Sequence, residues 1–589
     1  MKQKLKMSLA LAIIGGVSLT GCQPEKTEAL PNRLPQDVKV SCPLNNGNAW
    51  FEGDSVVENG KVLPANSVAF DPANNCAFYN WAAQMFLWVT SPMTSGTYVP
   101  GNTVMESPTF YTVQPDTNNN AGQNRILVQN LAGKQLRAVP QMKKSGPNRL
   151  PVIFDKRGRM FEVETHSSGT KMLSVMSGSK QVKVHHVEKG AGGVVTFFDE
   201  KNQAIASPAA ILQHTVNKER IVHGFLTTDG SSVYIDGNSN LIETETGQAT
   251  NDVLVANNGS MVYYILFVND VYAYYQAGVS ARLLDSSKFP TTAGELSKIT
   301  ELARNNGVTL ADSNALAIEM KTSWVEAVNL PDSNSYITTY AIVPVYKKVG
   351  DAAWVLSGEK LTKLALIGAH VVGSVAGHPE MVWATFEHED NAPNAAYKYV
   401  DVNGKVKMVP QDTGSNWLLS NNASDPQTNV SHQHWSNTGG DTIVGTSGQL
   451  TACNVLRTMP WGSAMDSLTN QEDTSSATSN SEIISLNNQV YALLKGNDIR
   501  KNYQLIGATW TFGGAAPNGA TYGSVTTPGV SIGTNVCANS TMETFFQAAN
   551  QSCFTCHSGN NSLSPTQLSH IFSNIVPIKL ASVPPALKK

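Results

Sequence analysis

Hydrophobic positions along the chain switch between two periods. In "DPANNCAFYNWAAQMFLWVTSP" Phe78, Trp81, Ala82, Met85 and Trp88 recur at helical spacing, and Pro92 closes the run. The pattern predicts a buried helix whose aromatic stripe is core. From about residue 150 to 250 the period shortens to two. There "LPVIFDKRGRMFEVE", "GVVTFFDEKNQAIA" and "SSVYIDGNSNLIET" each set a polar turn between short β-rich arms, which predicts three hairpins. Downstream, "SMVYYILFVNDVYAYYQAGV" and "TTAGELSKITELARNNGV" read as helices, the second opening on a Thr-Thr cap and closing at Asn306 and Gly307. Strand patterns return over 314–390, in "YITTYAIVPVYKK", "LALIGAHVV" and "EMVWATFEHED". The Asn-, Ser-, Thr- and Gly-rich stretch 411–482 is expected as loops covering part of the body.

The N-terminal pattern belongs to export rather than to the fold. Lys2, Lys4 and Lys6 precede an apolar run from Met7 to Leu19 that is too short to span a bilayer. It ends in Leu19-Thr20-Gly21-Cys22, which resembles the lipobox of bacterial lipoproteins, where cleavage precedes a cysteine that takes lipid. Residues 1–21 are thus expected as a lipoprotein signal peptide and Cys22 as the lipidation site. Acyl chains on Cys22 would hold the chain on a membrane. A residue other than Asp after that cysteine, here Gln23, accompanies outer-membrane sorting in many Gram-negative bacteria. Residues 22–65, Pro-rich at their start, are expected as anchor and tether.

Loss of residues 1–21 removes three lysines and no acid from 42 basic and 45 acidic residues, leaving a formal charge of −6. That balance offers nothing to nucleic acid. Of seven cysteines, Cys22 is assigned to lipid and Cys553 and Cys556 to a motif described next. Cys42, Cys76, Cys453 and Cys537 remain, an even number that an oxidising compartment would pair. Three connectivities are open, and closing the shorter loops favours Cys42–Cys76 with Cys453–Cys537.

The strongest chemical signal is "QSCFTCHSGNN". Cys553, Cys556 and His557 form C-x-x-C-H, the spacing that attaches a c-type haem through two thioethers and offers a histidine to its iron. A redox C-x-x-C pair does not need His557, and a zinc knuckle would want a second cysteine pair. One covalent haem c is therefore expected, with His557 as proximal ligand. Ser540 to Glu543 reads as a capping box, and Met542, Phe545, Phe546 and Ala549 as the stripe of a helix feeding the motif. A second short helix is expected from Ser564 with Pro565 first and Leu568, Ile571, Phe572 and Ile575 as its apolar face.

Only 32 residues follow His557 and none is Met, so the tail cannot shelter a porphyrin alone. Residues 536–589 are accordingly expected as a small helical haem clip docked on a 66–535 body. His570 is the leading candidate for the distal iron ligand, although a continuous helix would set it opposite the apolar stripe. His370, His388, Met542 or an open site are the alternatives. His432 and His434 would point the same way on a strand, as metal ligands can, and Glu387, His388, Glu389 and Asp390 form an acid/base-capable cluster; for both, a solvated polar segment is the plainer reading.

The segments "NWAAQMFLWVTSP", "LIGAHVVGSVAGHPEMVWATFEHEDNAP" and "TMETFFQAANQSCFTCHSG" resemble those of large exported bacterial cytochrome c family proteins, with a long N-terminal body before one C-terminal haem motif. The resemblance runs discontinuously from about residue 70 to 575 and implies haem and export without naming a substrate. Together these features predict an α+β fold with a β-rich body and a few buried helices. They predict a lipid-anchored, single-haem cytochrome in periplasmic or cell-surface redox, most simply in electron transfer with redox partner proteins. A haem c enzyme of peroxidase or oxygenase type, and a binding lipoprotein with structural haem, are the competing expectations.

Overall fold

The computed structural model describes residues 34–582 except 116–124, 132–133, 141–151, 155–159, 166–173, 190–194, 207, 212–220, 227–231, 237–240, 243–252, 436–441, 446–447, 463–473, 520–526, 546, 548–552 and 558–560. The expected signal sequence, residues 1–21, and Cys22 lie outside the described residues. Ten strands organise the fold: β1 (Phe110–Pro115), β2 (Arg125–Gln129), β3 (Tyr263–Asn269), β4 (Ile318–Glu326), β5 (Thr338–Val349), β6 (Ala353–Val375), β7 (His378–His388), β8 (Tyr503–Thr511), β9 (Ser531–Gly533) and β10 (Ile575–Val576). Nine of them form the main path of a larger sheet, in spatial order β9-β8-β7-β6-β4-β3-β1-β2-β10, with β5 beside β6. Pairing is antiparallel along the path until the last pair, where β10 lies parallel to β2.

The predicted buried helix is α1 (Asn75–Val89), capped by Asn74, whose side chain accepts from the Ala77 N–H. It packs on β8, β7 and β6, stacking Phe78 on Trp510 and Phe86 on Phe386. The three hairpins also form: 152–154 pairs with 160–165, Phe198 bridges to Ala204, and 232–236 pairs with 241–242.

The first half of "SMVYYILFVNDVYAYYQAGV" is strand β3, not helix. Its Tyr, Ile, Phe and Val side chains suit a sheet, and all seven residues are buried between β1 and β4. Asn269 ends the strand and caps α2 (Asp270–Ser280), taking the Tyr272 N–H at 3.0 Å. Helix α3 (Ala293–Asn305) has the expected Thr292 cap, in a capping box with Glu295, and ends at Asn306 before Gly307.

The expectation of loops through residue 482 fails at its end. Helix α4 (Thr474–Leu493) begins inside it, burying Ile483, Ile484 and Leu486 and packing on β8 and α1. Its Ser, Thr and Asn content argues against a helix on propensity, and tertiary burial overrides that. Residues 37–65 are also not a free tether. Phe51 and Val62 are buried and bridged, Val38 bridges to Asp401, and Cys42 is disulfide-bonded to Cys76. The other expected pairing, Cys453 to Cys537, is absent: both are buried and neither is in a disulfide. Cys453 packs among Leu419, Val455 and Met542, where burial pushes its thiol up to about 12. No helix among the described residues is long and apolar enough to cross a membrane.

Candidate functional site

Three neighbouring strands place nine residues on one face. Register sets Glu319, Val372 and Trp383 in one row across β4, β6 and β7, then Lys321, His370 and Thr385, then Ser323, Gly368 and Glu387. Residues directly opposite one another share a face, and i, i+2 positions continue it. Such a face at the centre of a sheet would ordinarily be apolar. Here it is largely polar because it receives the C-terminal segment.

From residue 537 that segment runs over the second and third rows. Asn539 Nδ2 donates to Thr385 Oγ1 at 3.0 Å, and Ser323 and Thr541 hydroxyls meet at 2.6 Å. Glu387, fully buried, accepts the Ser540 N–H at 2.7 Å and its hydroxyl, with Arg457 Nε 3.5 Å away. Gly368 is required by the close approach: a Cβ there would lie 2.7 Å from Ser323 Oγ and 2.9 Å from Thr541 Oγ1.

Glu543 meets His370 Nε2 at 3.0 Å and 3.1 Å and accepts the Asn539 N–H at 3.0 Å. Burial alone would raise its carboxyl, but His370 and Lys321 outweigh it and hold the pKa at about 2. Of the helix expected to run from Ser540 into Cys553, residues 540–545 are not helical, and Phe546 and Ala549 lie outside the described residues. Its capping residues are spent elsewhere, Ser540 on Glu387 and Glu543 on His370, and Met542 is buried in the core.

The C-x-x-C-H motif lies over the first row. A short helix, α5 (Cys553–His557), puts positions 553 and 557 on one side. Phe554 is buried against Trp383, ring centroids 5.9 Å apart, and the His557 ring lies 4.2 Å from the same indole. His557 Nδ1 is 2.6 Å from the Leu568 carbonyl oxygen. That oxygen can only accept, so Nδ1 carries the proton and Nε2 the lone pair of the neutral ring.

The second predicted helix is brief. Helix α6 (Pro565–Leu568) starts after Ser564 as expected, then the backbone turns extended at Ser569. Leu568, Ile571, Phe572 and Ile575 still bury their apolar side chains, and β10 follows at the sheet edge. The break frees His570 from helical geometry, and its ring stacks on His557 with centroids 3.9 Å apart and planes 17° apart. Next to it, Ser569 Oγ donates to Glu319 at 2.7 Å, and Tyr272 OH donates to the same carboxylate at 3.2 Å. Burial raises the Glu319 carboxyl to about 7 against these two hydrogen bonds.

The remaining candidates disperse. Period two turns His388 away from Glu387: His388 stacks on Tyr336 at 3.8 Å, its Nε2 3.2 Å from the Ser335 carbonyl. The proposed acid/base cluster is therefore split between two faces. His432 and His434 are not completed as a metal site, since no cluster of three or more His, Cys, Asp or Glu among the described residues is arranged to bind an ion. Trp383, Glu319 and Gly368 belong to no motif in the sequence. Their only signal is polar or minimal residues at alternate positions of central strands.

No family model, no curated protein and no solved structure matches the chain.

Proposed function

We propose that this chain is a lipid-anchored, single-haem c-type cytochrome of the bacterial cell envelope that passes electrons between redox partner proteins. Cys553 and Cys556 would hold the haem by thioethers and His557 would bind its iron. The group supplies a one-electron couple. The observation that carries this reading is the His557 Nδ1 contact with the Leu568 carbonyl. Metal-binding histidines characteristically give their second ring N–H to such an acceptor, which orients the ring and directs Nε2 to the metal. The residues present therefore fit the group, with apolar cover from Trp383 of the body and from Phe554 and Leu568 of the C-terminal segment itself.

A second reading, a haem c enzyme of peroxidase or oxygenase type, is favoured by the His557–His570 stack. Two imidazoles that grip one iron from opposite sides point at each other along a line, whereas a stacked pair lies face to face. While the stack persists, His570 is no distal ligand.

Spectra of the purified full chain, ferric and ferrous, with and without carbon monoxide, separate the readings. Electron transfer is expected to give one haem per chain by pyridine haemochrome and a six-coordinate, low-spin iron that ignores carbon monoxide. A high-spin iron that binds carbon monoxide favours the enzyme. Haem extracted by acid–acetone defeats both. Cys22→Ser should release the protein from the membrane fraction, and a variant that stays bound defeats the anchor.

A further inference from the structure

Cys537 is buried and Cys553 is partly buried, and neither is in a disulfide. They are 16 positions apart, yet β7 brings them together. Strand β9 ends at Gly533 and delivers Cys537 to the Trp383 carbonyl, its Sγ 3.7 Å away. Cys553 packs into the apolar cluster that contains Trp383 and Phe554. There the Cys537 thiol comes within side-chain hydrogen-bonding reach of Cys553. Cys453, the other buried thiol, lies in a different cluster.

We propose that Cys537 is an alternative covalent partner for Cys553, so that Cys553 has two exclusive fates, a disulfide to Cys537 or a thioether to haem. The haem branch rests on the function proposed above; the disulfide branch does not. The oxidant is a protein disulfide of the exporting compartment. The partly exposed Cys553 loses its proton and its thiolate attacks that disulfide, forming a mixed disulfide and expelling one thiolate of the oxidant. The buried Cys537 loses its proton and attacks the Cys553 sulfur, forming Cys537–Cys553 and expelling the second. The two protons end on the oxidant, which leaves as a dithiol after gaining two electrons. Exposure dictates the order, since only Cys553 is reachable from outside.

The neighbouring thiol and burial together raise the Cys553 pKa. Oxidation should then be slow at neutral pH and faster as pH rises, leaving time for haem to be attached first. Once the disulfide closes, haem attachment requires reduction.

The test uses the full chain, exported without haem attachment, alkylated under non-reducing conditions and cleaved after glutamate. Cleavage after Glu543 separates Cys537 from Cys553, whereas no Lys or Arg lies between residues 501 and 579. A joined pair of peptides, with fragment ions assigning Cys537 to Cys553, is expected in the wild type and should vanish in Cys537→Ala. Alkylated Cys537 and Cys553, or Cys553 linked to Cys556, overturns the inference. A surviving Cys42–Cys76 link reports that each sample folded. With haem attachment restored, Cys537→Ala should carry at least as much covalent haem as wild type, and a loss of haem in that folded variant overturns the exclusive-fates claim. If neither protein gains haem while the unattached wild type shows the Cys537–Cys553 link, the cytochrome reading fails and the disulfide stands.

Discussion

The imidazoles of His557 and His570 are stacked, centroids 3.9 Å apart, and the same His557 ring lies 4.2 Å from the Trp383 indole. With Nδ1 given to the Leu568 carbonyl, the ring is held at its faces and at one edge. This arrangement fixes the orientation of the His557 ring. It gives His570 a role that does not require iron.

His570→Phe keeps a flat ring for the stack and removes both nitrogens. The ferric spectrum should be unchanged and the haem still covalent. A conversion from low to high spin would instead make His570 the sixth ligand and require the stack to open.

Gly368→Ala pushes a methyl group into Ser323, Asn539 and Thr541, which are already hydrogen-bonded around it. Overpacking of this kind costs about 1–3 kcal/mol. Urea unfolding should show that loss, and cleavage at Phe545 by a protease should become faster, because the displaced segment leads there. Unchanged stability would mean the segment does not lie on this face.

The Glu543–His370 contact predicts acid sensitivity. The folded carboxyl sits at about 2 against an ordinary 4.5, so the stability it contributes is present above 4.5 and is lost as pH falls toward 2. The stability gap between wild type and Glu543→Gln, measured by urea unfolding, should narrow as pH falls below 4.5. A gap that ignores pH down to 3 removes the ion pair.

Glu319 acts in the opposite sense. Its folded pKa is raised to about 7 from 4.5, so the folded state binds more protons and stability falls as pH rises from 4.5 to 7. Glu319→Gln keeps an oxygen for Ser569 and Tyr272 and removes the ionisation. It should gain on the order of 2–3 kcal/mol over wild type at pH 8, with little difference at pH 4. Parallel pH profiles for the two proteins would show that Glu319 is well solvated.

What the sequence determined by itself is what neighbours along the chain decide. The aromatic period and the Asn74 cap place α1, the Thr292 and Glu295 capping box and Gly307 bound α3, and the three hairpins follow from polar turns between β-rich arms. The C-x-x-C-H spacing and the lipobox are equally local, and they set the chemistry proposed here. The rest depended on long-range packing. Tyr263–Asn269 is a strand because β1 and β4 flank it, and α4 is a helix because Ile483, Ile484 and Leu486 have a core to enter. A capping box was legible at Ser540, yet Glu387 and His370, more than a hundred residues away, took its two side chains. The site itself is the extreme case. Glu319, His370 and Trp383 share a face only through the register of three strands, and His570 reaches His557 only because the backbone turns extended at Ser569. Hydrogen bonds between strands carry that information, and no window of sequence contains both partners.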